Sequence, residues 1–186
     1  MIQKLEKIAH GKLALIGLTI FILCQIFLAS YLIPEIQKLQ PEAIDGGALR
    51  MIDFQPFSTP EATYNILTMY RPEVVQYVFA MYKTDFIFPL AMVLFFLGVI
   101  GKMRRTLQLT ANAWRLLLLI PILGLPFDYA ENLSGLFMLA NLPQRYDLLA
   151  RITGVFTALK LCFYVLTVAT TLALFIWILV NRIKKA

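Results

Sequence analysis

Long runs of apolar residues, separated by shorter polar segments, dominate the pattern of this chain. Four runs are long enough to be membrane spans, and they cover about residues 13–33, 84–101, 113–139 and 148–180. A helix with the length of the first run extends about 31 Å, enough to cross the hydrocarbon core of a bilayer. The pattern predicts an all-α integral membrane protein, a four-helix transmembrane bundle that forms a single membrane domain over residues 1–186.

The segment between the first two spans, residues 35–83, carries a helix signal of its own. Thr59, Pro60 and Glu61 supply an N-cap, a proline at the first helical position and an early acid. Apolar residues then recur at helical spacing, which predicts an amphipathic helix over about 60–70. We expect this helix to lie on the outer membrane interface, and interfacial packing is favoured over a lid above a cavity.

Short basic segments beside the spans predict their orientation. They precede the first span, connect the second to the third and follow the fourth, and they contain Lys4, Lys7, Lys12, Lys102, Arg104, Arg105, Arg182, Lys184 and Lys185. The three segments share one side of the membrane only if the chain crosses it four times. Because short basic flanks stay in the cytoplasm, we expect cytoplasmic N- and C-termini and a multi-pass protein of the inner or plasma membrane.

Composition supports this class and excludes others. Apolar residues make up 60% of the chain, charged residues make up 15%, and the mean hydropathy is +0.74. A soluble domain carries about 25% charged residues, so this chain has too few to cover a water-facing surface. Most of the excess charge of +6 lies in the basic flanks. We therefore expect membrane lipid, and not nucleic acid, as the partner of these charges.

Few side chains are available for cofactor chemistry. His10 is the only histidine, and Cys24 and Cys162 lie in different spans without a CxxC motif. These counts exclude a histidine-based zinc site, haem held by paired histidines and a Ser-His-Asp triad. We expect no cofactor and no metal. A cation held by the carboxylates of the spans is disfavoured because Lys160 accompanies them.

Ionisable residues inside the predicted spans are the main functional signal. Each adds about 2.5–3.5 kcal/mol to the free energy of inserting its helix when it lies at the membrane centre. Such residues therefore mark a functional site or a structural ion pair. The candidates are Asp85, Asp128, Glu131 and Lys160. Their depths along the spans predict that all four converge in the outer half of the bundle.

Helical spacing adds two polar neighbours to this group. Asn132 shares a face of the third span with Asp128 and Glu131, at spacing i, i+3 and i+4. Tyr164 lies one turn after Lys160 on the fourth span. We expect Asn132 and Tyr164 to orient the groups that the charged residues bind.

A count of charges leaves the group one positive charge short. Three acids face Lys160 and, near the outer boundary, Arg151. Two carboxylates one helical turn apart resist ionising together in a low dielectric. We therefore expect either that Asp128 or Glu131 holds or shares a proton near neutral pH, or that Arg71 from the outer loop completes the pairing.

Three short motifs, taken in order, resemble a known group of proteins. They are Asp-x3-Pro at Asp85 and Pro89, Asp-x2-Glu-Asn at Asp128, Glu131 and Asn132, and Thr-x2-Lys at Thr157 and Lys160. In this layout the chain is similar to a group of small uncharacterised bacterial membrane proteins with four spans. The resemblance implies the four-span fold and the same polar residues, but no activity, because the group has none assigned.

Several functions fit these observations. The first is a membrane protein whose polar pocket binds a small or lipid-like ligand, with Asp128 and Glu131 binding it or exchanging a proton and Lys160 as counter-ion. The second is an intramembrane enzyme that uses a carboxylate as acid or base on a lipid-like substrate. The third is an accessory subunit of a membrane complex, with a membrane protein as partner and buried ion pairs that only fix helix register. A proton or ion path is a further alternative, and the sequence leaves open whether the protein is an enzyme.

Overall fold

The computed structural model describes residues 2–46, 48–52 and 55–184, and Lys185 of the third basic flank lies outside these ranges. Within them, four helical segments are long and apolar enough to cross a membrane, namely Gly11–Leu39, Pro72–Thr106, Asn112–Ala140 and Asp147–Ile183. The prediction of four such helices is confirmed. They indicate a multi-pass membrane protein.

Shorter regular elements build these segments and connect them. The α-helices of the described residues are α1 (Ile2–Ile8), α2 (Gly11–Phe27), α3 (Ile33–Leu39), α4 (Pro60–Leu67), α5 (Pro72–Thr84), α6 (Ile87–Thr106), α7 (Asn112–Arg115), α8 (Ile120–Ala140) and α9 (Asp147–Ile183). The remaining elements are a π-helical turn (Leu28–Leu32), two 3₁₀ turns (Pro41–Ala43 and Leu116–Leu118) and the antiparallel strands β1 (Ile44–Asp45) and β2 (Ala48–Leu49).

The first long helical segment continues past Pro34, where the sequence pattern predicts its end. Proline has no N–H, so an α-helix loses the bond to the carbonyl four residues earlier. The π-helical turn Leu28–Leu32 lies just before this proline, and the N–H of Ile33 bonds to the carbonyl of Leu28, five residues back. This wider turn accommodates the proline, and the chain resumes as α3 and ends at Leu39.

Helix α4 begins at the N-cap that the sequence indicates. The hydroxyl oxygen of Thr59 accepts a hydrogen bond from the N–H of Ala62 at 3.2 Å, and Pro60 occupies the first helical position. The helix ends at Leu67, a few residues before the end expected from its apolar spacing.

The loop around α4 is held by bonds between side chains and backbone. The side-chain amide of Gln40 donates to the carbonyl of Met69 at 2.7 Å and accepts from the N–H of Arg71 at 2.9 Å. The hydroxyl of Tyr64 accepts from the N–H of Tyr146 at 2.6 Å. These bonds tie the loop to α3, α5 and the turn before α9.

The chain forms two compact units. Unit 1 comprises residues 1–21, 89–125 and 161–186, and unit 2 comprises residues 22–88 and 126–160. Unit 2 has an apolar core from α3, the loop, α5, α8 and α9, which includes Ile36, Ile52, Tyr64, Leu67, Val74, Val78, Tyr82 and Met138.

In unit 1, helices α2 and α6 approach each other at glycine positions. A Cβ atom on Gly98 would overlap the backbone of Ala14, and one on Gly17 would overlap the backbone of Phe95. Small residues permit such close approach between membrane helices. The apolar core of this unit includes Ala9, Val93, Leu97, Ile100, Leu118 and Leu174.

Glu6 of α1 joins two arginines in unit 1. One carboxylate oxygen lies 3.2 Å from Nη2 of Arg104, and the other lies 2.8 Å from Nε of Arg115. Arg104 is buried and also donates to the carbonyl of Leu109 at 3.1 Å. The N-terminal helix is thereby tied to the ends of α6 and α7.

Candidate functional site

Polar side chains from α8 and α9 are buried together in unit 2. Glu131 and Asn132 are fully buried, and only 3% of Asp128, 1% of Thr157 and 4% of Lys160 is exposed. The three α8 residues occupy one face because they are spaced i, i+3 and i+4. We call these five residues the polar cluster.

Glu131 connects α8 to α9 through two contacts. One carboxylate oxygen forms an ion pair with the ammonium group of Lys160. The other accepts a hydrogen bond of 2.5 Å from the hydroxyl of Thr157. Charged groups inside an apolar protein are stable only when paired and hydrogen-bonded, and both oxygens of this carboxylate have a partner.

Asn132 connects the cluster to the break between α5 and α6. Its side-chain NH₂ donates to a carboxylate oxygen of Asp128 at 3.0 Å and to the backbone carbonyl of Asp85 at 3.3 Å. In a continuous helix that carbonyl would accept from the N–H of residue 89, but Pro89 has none. The Asn132 side chain thus supplies the donor that Pro89 lacks.

A second side chain of α8 stabilises the same break. The hydroxyl of Tyr129 donates to the carbonyl of Phe86 at 2.9 Å, and the two rings lie 5.4 Å apart between centroids. Tyr129 and Asn132 are three residues apart, so they reach adjacent carbonyls from one face of α8. Tyr129 is absent from the predicted site, although Asp-x3-Pro in a span is a signal that a carbonyl needs an outside donor.

The amide of Asn132 has a fixed orientation. Both of its near neighbours, the Asp85 carbonyl and the Asp128 carboxylate, are acceptors, so the NH₂ group must point toward them. The amide oxygen therefore points elsewhere, and it is buried without a hydrogen-bond partner among the described residues. A buried acceptor without a hydrogen bond lowers the free energy of unfolding by about 1–3 kcal/mol. The Asn132 oxygen is therefore a candidate contact for a ligand.

Other residues of the predicted site lie outside the polar cluster. Arg71 pairs with Glu42 at 2.6 Å on the surface of unit 2. Arg151 is exposed on α9. Tyr164 belongs to unit 1, where a Cβ on Gly124 would lie 3.3 Å from its ring. Asp85 contributes its carbonyl to the Asn132 contact, and its side chain is half-buried.

The polar cluster contains one buried ion pair and, beside it, the acceptor oxygens of Asp128 and Asn132. Glu131 pairs with Lys160, Asp128 accepts a hydrogen bond from the Asn132 amide, and the Asn132 oxygen is the acceptor that has no partner among the described residues. Across the described residues, no three His, Cys, Asp or Glu side chains come together as metal ligands. No family model, curated protein or solved structure matches the chain.

Proposed function

We propose that this multi-pass membrane protein binds a small or lipid-like molecule at Asp128 and Asn132. The observation that carries the proposal is the amide oxygen of Asn132, which is fully buried and has no hydrogen-bond partner among the described residues. Buried polar groups in native proteins are nearly always hydrogen-bonded. A ligand that donates a hydrogen bond would satisfy this atom.

The acceptors of the cluster define the chemistry of this ligand. The Asn132 oxygen can only accept hydrogen bonds, and the Asp128 carboxyl beside it offers further acceptor oxygens. The ligand therefore presents a hydroxyl, amine or amide N–H, and its remaining surface is apolar because the cluster lies within apolar helices. Glu131, Lys160 and Thr157 hold α8 against α9 next to these acceptors.

The proposal includes an orientation in the inner or plasma membrane. The basic flanks support cytoplasmic termini, which would put α4 on the outer side. The amphipathic spacing of α4 supports a position at the outer interface. The polar cluster would then lie in the outer half of the membrane, and the ligand would enter from the outer leaflet.

Mass spectrometry of molecules that co-purify with the protein tests this function. The chain is extracted from its membrane in mild detergent, and bound molecules are released into organic solvent and quantified per folded protein. We expect an amphiphile with a donor group in the wild type and about ten-fold less of it in Asn132→Leu, which removes the acceptor. Asp128→Asn is expected to lower its amount as well.

Ser134→Ala is the matched control. Ser134 is buried on the same helix, but its hydroxyl donates to the carbonyl of Ala130 in its own helix at 2.7 Å. The control should retain the wild-type amount. If Asn132→Leu also retains it, or if wild-type protein carries no such molecule, the cluster only fixes helix register and the proposal is wrong.

A further inference from the structure

A groove of about 590 Å³ runs along unit 1, and none of the residues that line it belongs to the polar cluster. Its apolar part is lined by Leu18 of α2, Phe95 of α6 and Phe175 of α9, among others. Its other end is lined by Lys102, Thr106 and Arg182. Lys102 is seven positions after Phe95 and Arg182 is seven positions after Phe175, so the apolar part is about 10 Å long.

A polar cavity adjoins the basic end of the groove. It has a volume of about 250 Å³, shares Thr106 and Arg182 with the groove and adds Gln108 and Asn181. The two spaces together have an apolar stem and a polar head with hydrogen-bond donors. This is the shape and polarity of an amphiphile with a hydrated headgroup.

The two cations at this end are available to an anion. Lys102 and Arg182 are exposed, and neither forms an ion pair with an acid in the part of the chain that the structure describes. The neighbouring arginines differ, because Arg104 is paired with Glu6 and Arg105 donates to the carbonyls of Glu6 and Ala9. Lys102 and Arg182 lie near the ends of two long apolar helices, at the level expected for lipid headgroups.

We propose that this groove binds an anionic phospholipid, with the phosphate between Lys102 and Arg182 and an acyl chain along Leu18, Phe95 and Phe175. Basic pockets between membrane helices recognise anionic headgroups in this way. The apolar stem favours a lipid over a free phosphate, since a soluble anion would leave the stem unfilled. The site is independent of the ligand proposed for the polar cluster.

Native mass spectrometry of the detergent-purified chain tests the proposal with phosphatidylglycerol and phosphatidylcholine of identical acyl chains. We expect phosphatidylglycerol to bind more tightly. The double variant Lys102→Gln/Arg182→Gln should lose about thirty-fold in that affinity, since each basic residue near an anionic headgroup contributes about five-fold. Val99→Trp, which fills the groove between its two ends, should weaken both lipids.

Lys184→Gln is the matched control, because Lys184 is exposed two residues after Arg182 and does not line the groove. It should change the affinity for phosphatidylglycerol by less than about three-fold. A loss as large as that of the double variant would mean diffuse attraction and overturn the proposal. Equal binding of the two lipids, or displacement of phosphatidylglycerol by inorganic phosphate, would overturn it too. If Val99→Trp does not fold, as judged by its melting curve, the proposal is tested by the phosphatidylglycerol affinities of Lys102→Gln/Arg182→Gln and Lys184→Gln.

Discussion

Glu131 and Lys160 form an ion pair whose two charges are both buried in unit 2. Removing two charges from water is costly, and their attraction offsets this cost only when both partners are present. The loss of one partner leaves an isolated charge in an apolar surrounding. The stability of the pair is therefore best measured by comparing single and double replacements.

A double-mutant cycle on Glu131 and Lys160 is predicted to show strong coupling. Lys160→Met should lower the free energy of unfolding by about 3–5 kcal/mol, because the Glu131 carboxylate is left unpaired. Glu131→Leu/Lys160→Met should recover most of this loss, since apolar replacements of buried pairs are often neutral. Denaturation of each variant in detergent measures the effect.

The exposed pair of Arg71 and Glu42 is the control for this cycle. It belongs to the same unit, and more than half of each side chain is exposed. Arg71→Met and Glu42→Gln should each change stability by less than about 1 kcal/mol. Additive losses at Glu131 and Lys160 would contradict a coupled pair.

Some contacts of single residues could be predicted from the sequence and others could not. Spacing along one helix assigns Asp128, Glu131 and Asn132 to a common face, because helical geometry is local. Which groups meet across two helices depends on how each is rotated about its axis, which spacing does not give. The Thr157 hydroxyl on Glu131 and the Asn132 amide on the Asp85 carbonyl are contacts of this second kind.

At the scale of elements, prolines determine where the long helices depart from regular α-helical hydrogen bonding. Pro89 leaves a backbone carbonyl to be satisfied by α8, and Pro34 follows a π-helical turn without ending its helical segment. The sequence predicts that a proline perturbs a helix, but not whether the helix stops or continues. That outcome depends on donors from other elements, such as Asn132 and Tyr129 at the α5–α6 break.

The break between α5 and α6 leads to a second coupling prediction. In Pro89→Ala, the new N–H can bond to the Asp85 carbonyl, so the Asn132 amide becomes less important there. Asn132→Leu should therefore cost about 1 kcal/mol less in the Pro89→Ala background than in the wild type. Unfolding free energies of the four proteins measure this difference.

Pro72→Ala provides the control background. Pro72 is the first residue of α5, and neither hydrogen bond from the Asn132 amide goes to a carbonyl near it. The cost of Asn132→Leu should be the same there as in the wild type. An equal cost in all three backgrounds would mean that Asn132 does not replace the donor absent at Pro89.

At the scale of the whole molecule, the number of spans was predictable because it rests on length and hydropathy alone. The bilayer requires apolar helices of a minimum length, and each such helix is recognisable in the sequence as a long apolar run. No comparable sequence pattern predicts the division into two compact units. It depends on long-range packing, as between Gly98 and Ala14.

Cysteine labelling in intact cells tests the proposed orientation. In a background of Cys24→Ala/Cys162→Ala, we expect Gln144→Cys to react with a membrane-impermeant maleimide added from outside. Thr110→Cys, in the connection between α6 and α7, should react only after lysis, because this connection directly follows the basic flank at the end of α6. Both positions are exposed in the structure. The reverse pattern would contradict cytoplasmic termini.

The bonds of Glu6 to Arg104 and Arg115 have a consequence for biosynthesis. Glu6 emerges from the ribosome about a hundred residues before either arginine, so it has no access to them during early insertion. Under the proposed orientation, Arg104 of α6 and Arg115 of α7 would enter the membrane region without this partner and would favour retention on the cytoplasmic side. The pairing with Glu6 would form only after both arginines have been made. The same guanidinium groups would then serve twice, first in setting the topology and afterwards in holding α1 to α6 and α7.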